Sequence, residues 1–289
     1  MFPAHWYHHT YKGRRHMGIL DSSDDEASES VEDIAFLSSS ENRLAVLTSL
    51  AEGEHARHVL AEQTDVSRVT IARILDDFED RQWVTQRGQI ATITPLGAWV
   101  AEEFGELCTM MTRERKLRSV VQWLPDEGYE FHIRHLEDAD ITLVSSADAT
   151  APIDRLVRQL HATEHVDCFS FGITGQFLKA SWRYVIEREH TYEWVFTTEV
   201  LDVLQSNDVM RNQSLEMLES ERARFYRYDG DIPYVVILTN AMVNLRLADN
   251  AGAPSALIQS DNEAVRTWAE STFEAYKRDG MLVEPESFA

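Results

Sequence analysis

Cysteine is scarce in this chain, and long apolar runs are missing. The 289 residues include two cysteines, Cys108 and Cys168, too few for a disulfide framework or a four-thiolate zinc site. We expect both to be free thiols in a cytoplasmic protein. No apolar stretch approaches the roughly 18 residues needed to cross a bilayer, and the N-terminus lacks a signal-peptide pattern. The sequence therefore predicts a soluble protein with no membrane partner.

Positive charge is also scarce, and lysine most of all. Lysine and arginine together number 27 against 49 aspartates and glutamates, which gives a formal net charge of −22. Only Lys12, Lys116, Lys179 and Lys277 are lysines. Carboxylates bind water and salt strongly, so this balance predicts a surface adapted to the salty cytosol of halophilic archaea. Such a surface is acidic whatever the protein binds, and it does not exclude nucleic acid.

The length and the 44% hydrophobic content predict two folded domains. Residues 1–31 are expected to form a disordered tail. Within it, residues 1–16 contain four of the eleven histidines and no acidic residue, whereas a Ser/Asp/Glu-rich run follows Met17. A start assigned too early would explain this change, and a genuine basic arm is the alternative. No cysteine or acid accompanies the early histidines at ligand spacing, so no metal site is expected.

Residues 32–124 have the pattern of three short helices, a hairpin and a long helix. Ser38 and Glu41 form a capping-box pattern before the first helix, and Ser67 is placed to cap the third. Two runs rich in β-branched residues then flank Gly88, which predicts a hairpin. A helical stretch follows Pro95 and extends to about Leu124. This order is typical of an α+β winged helix-turn-helix with a long linker helix.

The run from AEQTDVSRVTIARIL through the hairpin to Thr94-Pro95-Leu96-Gly97 resembles the DNA-reading module of archaeal regulators of the MarR, ArsR and TrmB type. The resemblance implies double-stranded DNA as the partner. A recognition helix presents short polar and guanidinium groups to base edges, and the wing reaches phosphate or the minor groove. The predicted DNA-binding residues are Ser67, Arg68, Thr70, Arg73, Arg87 and Gln89.

Residues 125–289 alternate between short apolar strands and helical runs, which predicts an α/β domain with a partly parallel sheet. The turn signal at 125–128, PDEG, marks the expected boundary. The runs VILTNAMVNL at 236–245 and WAESTFEAY at 268–276 resemble the middle domain of archaeal FilR-type regulators and, more distantly, the sensor domain of TrmB-like proteins. The resemblance allows a phospholipase D-like fold. No histidine of this half has a lysine two residues on, so the catalytic motif of that fold is missing.

We expect no catalytic residues, no cofactor and no metal in this half. Ser145, Ser146, Asp148 and His161, or Cys168 with His165, would make a nucleophile and base only by chance placement. Parallel sheets open their ligand crevice at strand ends, so a small-molecule pocket is the better hypothesis. The candidate pocket residues are Phe169, Phe171, Gly172, Thr174 and Gly175; a plain strand-to-helix turn is the alternative.

The sequence thus predicts a DNA-binding transcriptional regulator whose second domain senses a ligand or dimerises. One winged helix covers a short site, so a homodimer reading two half-sites is expected, with the helix from Leu96 to Leu124 as its seam. A protein-interaction module, in which the winged helix docks a protein while the acidic surface repels DNA, is the rival hypothesis. An enzyme acting in the α/β domain is the third.

Overall fold

The computed structural model describes residues 24–124, 131–248 and 254–288. The chain divides into two compact units, Met1–Thr112 and Arg113–Ala289, which are described separately. The division falls within a helix, upstream of the boundary expected at residues 125–128. That turn, the stretch 1–16 and the acidic run up to residue 23 lie outside the described residues.

From residue 24 onward, the first unit contains five helices, the last of which continues to Leu117, and a three-stranded antiparallel sheet in the order β1-β3-β2. Its elements in chain order are α1 (Asp24–Ser38), α2 (Glu41–Ala51), β1 (His55–Ala56), α3 (Arg57–Thr64), α4 (Arg68–Asp80), β2 (Val84–Arg87), β3 (Ile90–Ile93) and α5 (Pro95–Leu117). The predicted winged helix-turn-helix is confirmed, with α4 in the place of the recognition helix and β2–β3 as the wing.

The buried face of α4 joins the elements of this unit. Ile71, Ile74, Leu75 and Phe78 are all buried, because their three- and four-residue spacing places them on one side of the helix. They pack with leucines and valines of α2 and α3 and with Trp83 at the start of the wing. Full burial of each such side chain stabilises the fold by about 1.5–3 kcal/mol.

Helix α1 begins inside the segment that the sequence predicted as a solvated tail. The structure instead has Asp24–Ser38 helical. Its last turns carry apolar residues that the acidic composition obscures: Leu37 is buried in the core, and the ring of Phe36 lies 6.1 Å from that of Phe78. Arg81 also donates to Asp33 at 2.8 Å. These contacts order a segment whose composition alone favours solvation. The cap of α2 likewise lies at Ser40, not at the predicted Ser38.

The sequence Thr94-Pro95-Leu96-Gly97 fastens α5 to the wing. The Thr94 hydroxyl accepts from the backbone N–H of Gly97 at 3.1 Å, as an N-terminal cap does, and donates to the carbonyl of Gln82 at 2.7 Å. A Cβ atom at Gly97 would lie 2.1 Å from the carbonyl oxygen of Trp83. Only glycine allows the helix and strand backbones to approach this closely.

The second unit is built on an eight-stranded mixed sheet in the order β11-β7-β6-β5-β8-β9-β10-β4. The strands β5, β6 and β7 are parallel, and β8, β9, β10 and β4 continue the sheet with antiparallel pairs. The elements are β4 (Asp140–Leu143), α6 (Ala151–Leu160), β5 (His165–Ser170), α7 (Gly175–Arg188), β6 (Thr191–Thr197), α8 (Thr198–Ser206), α9 (Asp208–Glu219), β7 (Ala223–Tyr228), β8 (Val235–Thr239), β9 (Val243–Ala248), β10 (Pro254–Ser260), α10 (Glu263–Asp279) and β11 (Met281–Leu282).

Two apolar layers cover the two faces of this sheet. One face packs against α10, with Trp268 and Phe273 among its buried residues. The other packs against α6, α7, α8 and α9. Successive residues of a strand alternate between the faces, so Phe169 belongs to the α10 layer whereas its neighbour Cys168 belongs to the other. The predicted α/β architecture is confirmed for the described part of the chain.

The end of α5 and the strand β10 differ from the sequence-based expectation. The long helix ends at Leu117 rather than near Leu124. A 3-10 turn at Val121–Trp123 takes the place of its predicted last turns. The core of the second unit includes Leu117, Val120 and Leu124. Strand β10 was not predicted, because its apolar run, Ala256-Leu257-Ile258, is only three residues long.

Replacement of Gly97 by Ala is expected to destabilise the first unit by about 1–3 kcal/mol or more, since the new methyl group would overlap the Trp83 carbonyl. Gly105→Ala in the same helix is the matched control. It meets nothing within 4 Å, so improved helix propensity should stabilise the protein by about 0.5–1 kcal/mol. Chemical unfolding measures both changes; equal effects of the same sign would contradict the described junction.

Candidate nucleic-acid interface

Ser67 is the N-cap of helix α4, as the sequence predicted. The Ser67 hydroxyl accepts a hydrogen bond from the backbone N–H of Thr70 at 3.2 Å and lies 2.9 Å from the Thr70 hydroxyl. This satisfies one of the N–H groups that a helix leaves unpaired at its first turn. Ser67 therefore sets where the helix starts, and it defines the position of the residues that follow.

The face of α4 opposite the core presents the predicted contact residues to solvent. Ser67, Arg68 and Arg73 are exposed, and Thr70 is half-buried. The structure adds Val69, whose side chain is 82% exposed although valine is usually an interior residue. Valine methyl groups suit contact with the methyl group of thymine. Sequence reasoning missed this residue, because an apolar residue on a helix is usually a core residue.

The arginines of residues 24–112 fall into two groups of three. Arg43 lies 3.6 Å from Asp77, and Arg57 donates to Gln86 at 2.6 Å. Arg81 donates to Asp33, as described above. These three cations are engaged by the protein itself.

Arg68, Arg73 and Arg87 form the other group. Throughout residues 24–124, 131–248 and 254–288, no hydrogen bond or ion pair involves any of their side chains. Two of them lie on the exposed side of α4 and the third at the tip of the wing. Unpaired guanidinium groups on one recognition helix and its wing are well suited to phosphate oxygens and guanine edges.

The wing is a tight hairpin fixed to α4. Arg87 pairs with Ile90 across the sheet, which leaves Gly88 and Gln89 as a two-residue loop. Gly88 has a φ of 65°, a conformation that short hairpin loops require and glycine adopts without strain. The Gln86 side chain donates to Asp76 at 3.1 Å and to Glu79 at 3.0 Å. Arg87 and Gln89 are exposed beside this anchored segment.

The acidic residues of α4 are confined to its C-terminal half. Asp77 faces Arg43, and Asp76 and Glu79 accept from Gln86 as just described. The N-terminal half carries Arg68 and Arg73 and also the positive end of the helix dipole. Within an acidic protein, this end of α4 therefore remains attractive to anions.

The predicted pocket of the second unit is assembled in part. Gly172 and Thr174 line a cavity between the sheet and α7. Phe169 does not line this cavity, because strand alternation places its side chain in the apolar layer on the α10 side. Phe171 is partly buried against both layers. Gly175 is the first residue of α7. Arg246 on β9 also lines this cavity, a residue that sequence reasoning missed because an arginine in an apolar strand resembles an exposed position.

The candidate nucleophile and base sets are not brought together. The Nε2 atom of His165 donates to the Asp167 carboxylate at 2.9 Å, and its Nδ1 atom lies 2.7 Å from the Thr191 hydroxyl. His165 also belongs to the opposite face of β5 from Cys168. Burial raises the pKa of the Cys168 thiol far above its ordinary value, which disfavours the reactive thiolate. Ser145 and Asp148 hydrogen-bond each other in the loop before α6, whereas His161 follows the far end of that helix.

Among the described residues, no group of three or more His, Cys, Asp or Glu side chains could hold a metal ion. No helix within those residues is both long and apolar enough to span a membrane.

Two family matches cover most of the chain. Residues 31–116 match the family described as HVO_A0261 N-terminal domain, and residues 149–279 match the family described as methanogenesis regulatory protein FilR1, middle domain. These matches confirm the resemblance to a FilR-type regulator noted above. A comparison with curated proteins finds no match.

Several solved structures are similar to the chain at low levels. The archaeal chromatin protein TrmBL2 covers 90% of this chain and 100% of its own, with 13% identity and a TM-score of 0.38. The phospholipase D family member Nuc from Salmonella typhimurium covers 50% and 97%, with 9% identity and a TM-score of 0.38. The MarR family regulator SPO1453 from Silicibacter pomeroyi DSS-3 covers 50% and 90%, with 19% identity and a TM-score of 0.24. Likeness at this level carries no functional argument.

Loss of the Ser67 hydroxyl should destabilise the winged-helix unit. Ser67→Ala removes the cap of α4 and is expected to lower the free energy of unfolding by about 1 kcal/mol. Ser67→Asn restores an acceptor and should unfold within a few tenths of a kcal/mol of wild type. Denaturant titration of the free protein measures both. Indistinguishable unfolding of the alanine and asparagine variants would show that Ser67 does not cap the helix.

Proposed function

We propose that this protein is a transcription regulator that binds double-stranded DNA, since residues 31–116 match the HVO_A0261 N-terminal domain family and residues 149–279 match the FilR1 middle domain family. The winged helix of the first unit is the DNA-binding part, and the α/β unit senses a ligand. Regulation rather than catalysis is proposed, because the candidate nucleophiles and bases lie apart.

The observation that carries the proposal is that some arginines of the first unit have partners within the protein, whereas those on α4 and the wing have none. The protein has a formal net charge of −22, so free arginines have many acidic groups available. Arg43, Arg57 and Arg81 nevertheless have protein partners, whereas Arg68, Arg73 and Arg87 are left without one on α4 and the wing. Within residues 24–112, the cations left unpaired lie only on this helix and wing, which favours an external anion there, and the major groove of DNA accepts a helix of this kind.

The roles of these residues differ. Arg68 and Arg73 lie in the first turns of α4, which reach base edges when a recognition helix enters the major groove. Ser67 and Thr70 add short polar groups to the same surface. Arg87 and Gln89 flank Gly88 at the wing tip, where contact with phosphate or the adjacent minor groove is expected.

The proposed regulator acts as a homodimer through α1 and α5. Trp99 is 63% exposed, and Leu96, Leu107, Met110 and Met111 of the same helix are exposed as well. A groove with a volume of about 390 Å³ runs between α1 and α5, lined by Ile34, Leu37 and Trp99 among others. Exposed apolar surface of this extent is typical of an interaction site. A second copy is the occupant we propose, because a two-fold pair of winged helices reads two half-sites.

Alanine substitutions should separate base reading from phosphate attraction. Arg68→Ala or Arg73→Ala is expected to weaken binding at the specific site by about 1–3 kcal/mol and to relax the preference at one base pair. Arg87→Ala should weaken all sequences alike and lower the salt slope by about one. Anisotropy titrations over a range of salt concentrations, extending to molar salt, measure these effects.

Arg183→Ala is the matched control, since it removes the same charge from an exposed position on α7. It should leave DNA binding nearly unchanged. If the combined replacement of Arg68, Thr70 and Arg73 leaves a folded protein with undiminished binding, the assignment of α4 is wrong. The protein-docking rival would then be favoured.

Charge placed in the α1–α5 groove should dissociate the dimer. Trp99→Glu or Leu107→Glu is expected to raise the dimer dissociation constant about 30-fold or more, as loss of a buried apolar anchor at an interface does. Val209→Glu, at an exposed apolar position of α9, is the control. Sedimentation equilibrium provides the measurement. A wild-type monomer, or a dimer insensitive to both groove variants, would contradict this part of the proposal.

A further inference from the structure

Arg246 is a buried arginine without an acidic partner. Its side chain lies on β9, on the face of the sheet that α6 and α7 cover, and the residue is 8% exposed. The Nε atom has no hydrogen-bond partner, and Nη2 has a single long contact of 3.4 Å to the Gly172 carbonyl. No carboxylate pairs with it anywhere in the described ranges.

This arrangement is unfavourable unless an anion is supplied from outside. Burial lowers the pKa of Arg246 from its ordinary value, yet an arginine remains protonated in proteins. A buried charge is normally paired, because desolvation without a partner costs several kcal/mol. Acids on the neighbouring elements α6 and β5 have other partners: Asp154 accepts from Thr150 and Gln176, and Asp167 accepts from His165 on the other face of the sheet.

The guanidinium group borders empty space. Two adjacent cavities, of about 10 and 80 Å³, share Ile153, Leu156, Thr174 and Arg246 as lining residues. Thr174 is the N-cap of α7, a helix of 14 residues, and its side chain accepts from Phe177. The positive end of this helix and the arginine thus border the same cavity. Apart from Thr174, Gln176 and Arg246, the walls of the larger cavity are apolar.

Gly172 allows the close approach of the loop to the arginine. A Cβ atom at this position would lie 3.2 Å from Nη2 of Arg246, which is tighter than an ordinary contact. Its carbonyl and N–H both engage the Ser170 hydroxyl, so the loop between β5 and α7 is fixed. The site is therefore built from a strand end, a helix N-terminus and a buried cation.

We propose that this cavity binds a short-chain monocarboxylate, with its carboxylate on Arg246 and the N-terminus of α7 and its alkyl part against Ile153 and Leu156. The identification of the ligand class rests on the proposed function, in which the second unit senses an effector. A volume of about 80 Å³ is roughly half of the ~150 Å³ that accommodates benzene, so acetate and propionate are of suitable size. The apolar walls disfavour inorganic phosphate, which has no surface to place against them.

The experiment measures thermal unfolding of the full chain with propionate, acetate or phosphate, at ionic strength matched with chloride. At ten times its dissociation constant, propionate is expected to raise Tm by about 2–5 °C. Arg246→Met should abolish this shift. It should leave Tm without ligand equal or higher, because an apolar side chain of similar length replaces an unpaired buried charge.

Two further variants keep the test decisive if Arg246→Met fails to fold. Arg246→Lys preserves the charge but lacks the paired N–H donors with which a guanidinium group binds a carboxylate. This variant should bind propionate more weakly than wild type. Gly172→Ala crowds the guanidinium and should also weaken propionate binding without removing charge. Equal shifts in wild type and both variants would overturn the proposal, as would no shift with either carboxylate or a shift with phosphate alone.

Failure of this proposal and failure of the proposed function are distinguishable. Anion binding is determined from Tm in the absence of DNA, whereas DNA binding is titrated separately with and without propionate. Arg246→Met without propionate should bind DNA as wild type does, since it lies outside the winged-helix unit. A protein that binds propionate but no DNA would contradict only the proposed regulator function. A protein that binds DNA but no carboxylate would contradict only the proposed carboxylate site.

Discussion

The packing of α4 on the core of the first unit is the constraint on which the candidate site depends. Ile71, Ile74, Leu75 and Phe78 are buried, which fixes the rotation of the helix about its axis. That rotation leaves Arg68 and Arg73 in solvent, and neither side chain has a hydrogen bond or an ion pair within the described residues. Gln86 ties the wing to the same helix, so Arg87 is positioned by the same core.

An acidic protein that binds DNA needs local rather than net positive charge. The chain achieves this by engaging its acids close to α4: Asp77 faces Arg43, and Asp76 and Glu79 accept from Gln86. At high salt the Debye length falls to a few ångströms, so long-range repulsion from the remaining acidic surface is screened. Hydrogen bonds and shape then contribute a larger share of recognition than counterion release. The net charge of −22 is therefore compatible with the proposed function.

Much of the fold could be predicted because it follows from local periodicity. The three- and four-residue spacing along α4, the hairpin around Gly88 and the alternation of strands and helices after residue 140 all appear in the structure. The role of Thr94-Pro95-Leu96-Gly97 could be recognised only as a resemblance, since the contact between Gly97 and Trp83 joins segments apart in sequence. Helix α1 was missed because its stability comes from tertiary contacts rather than composition.

The candidate sites were predictable to different degrees. The proposed DNA-binding residues lie on one helix and one hairpin, so their spacing and the resemblance to a winged helix-turn-helix were enough to predict a shared surface. The cavity of the second unit combines a strand end, a helix start and β9, which is more than 70 residues away from Gly172 in the chain. Arg246 could not be found from sequence, because its burial depends on the order of the strands. Phe169 was wrongly included, because the sequence does not tell which alternate residues of β5 face the cavity and which face α10.

Selection of bound duplexes from a random-sequence DNA pool tests the central claim most directly. We expect the wild-type chain to enrich one motif with two inverted half-sites about one helical turn apart. A folded variant with alanine at Arg68, Arg73 and Arg87 should enrich no motif. Enrichment of the same motif by this variant, or the absence of any enriched motif for wild type over a full range of salt concentrations, would contradict the account.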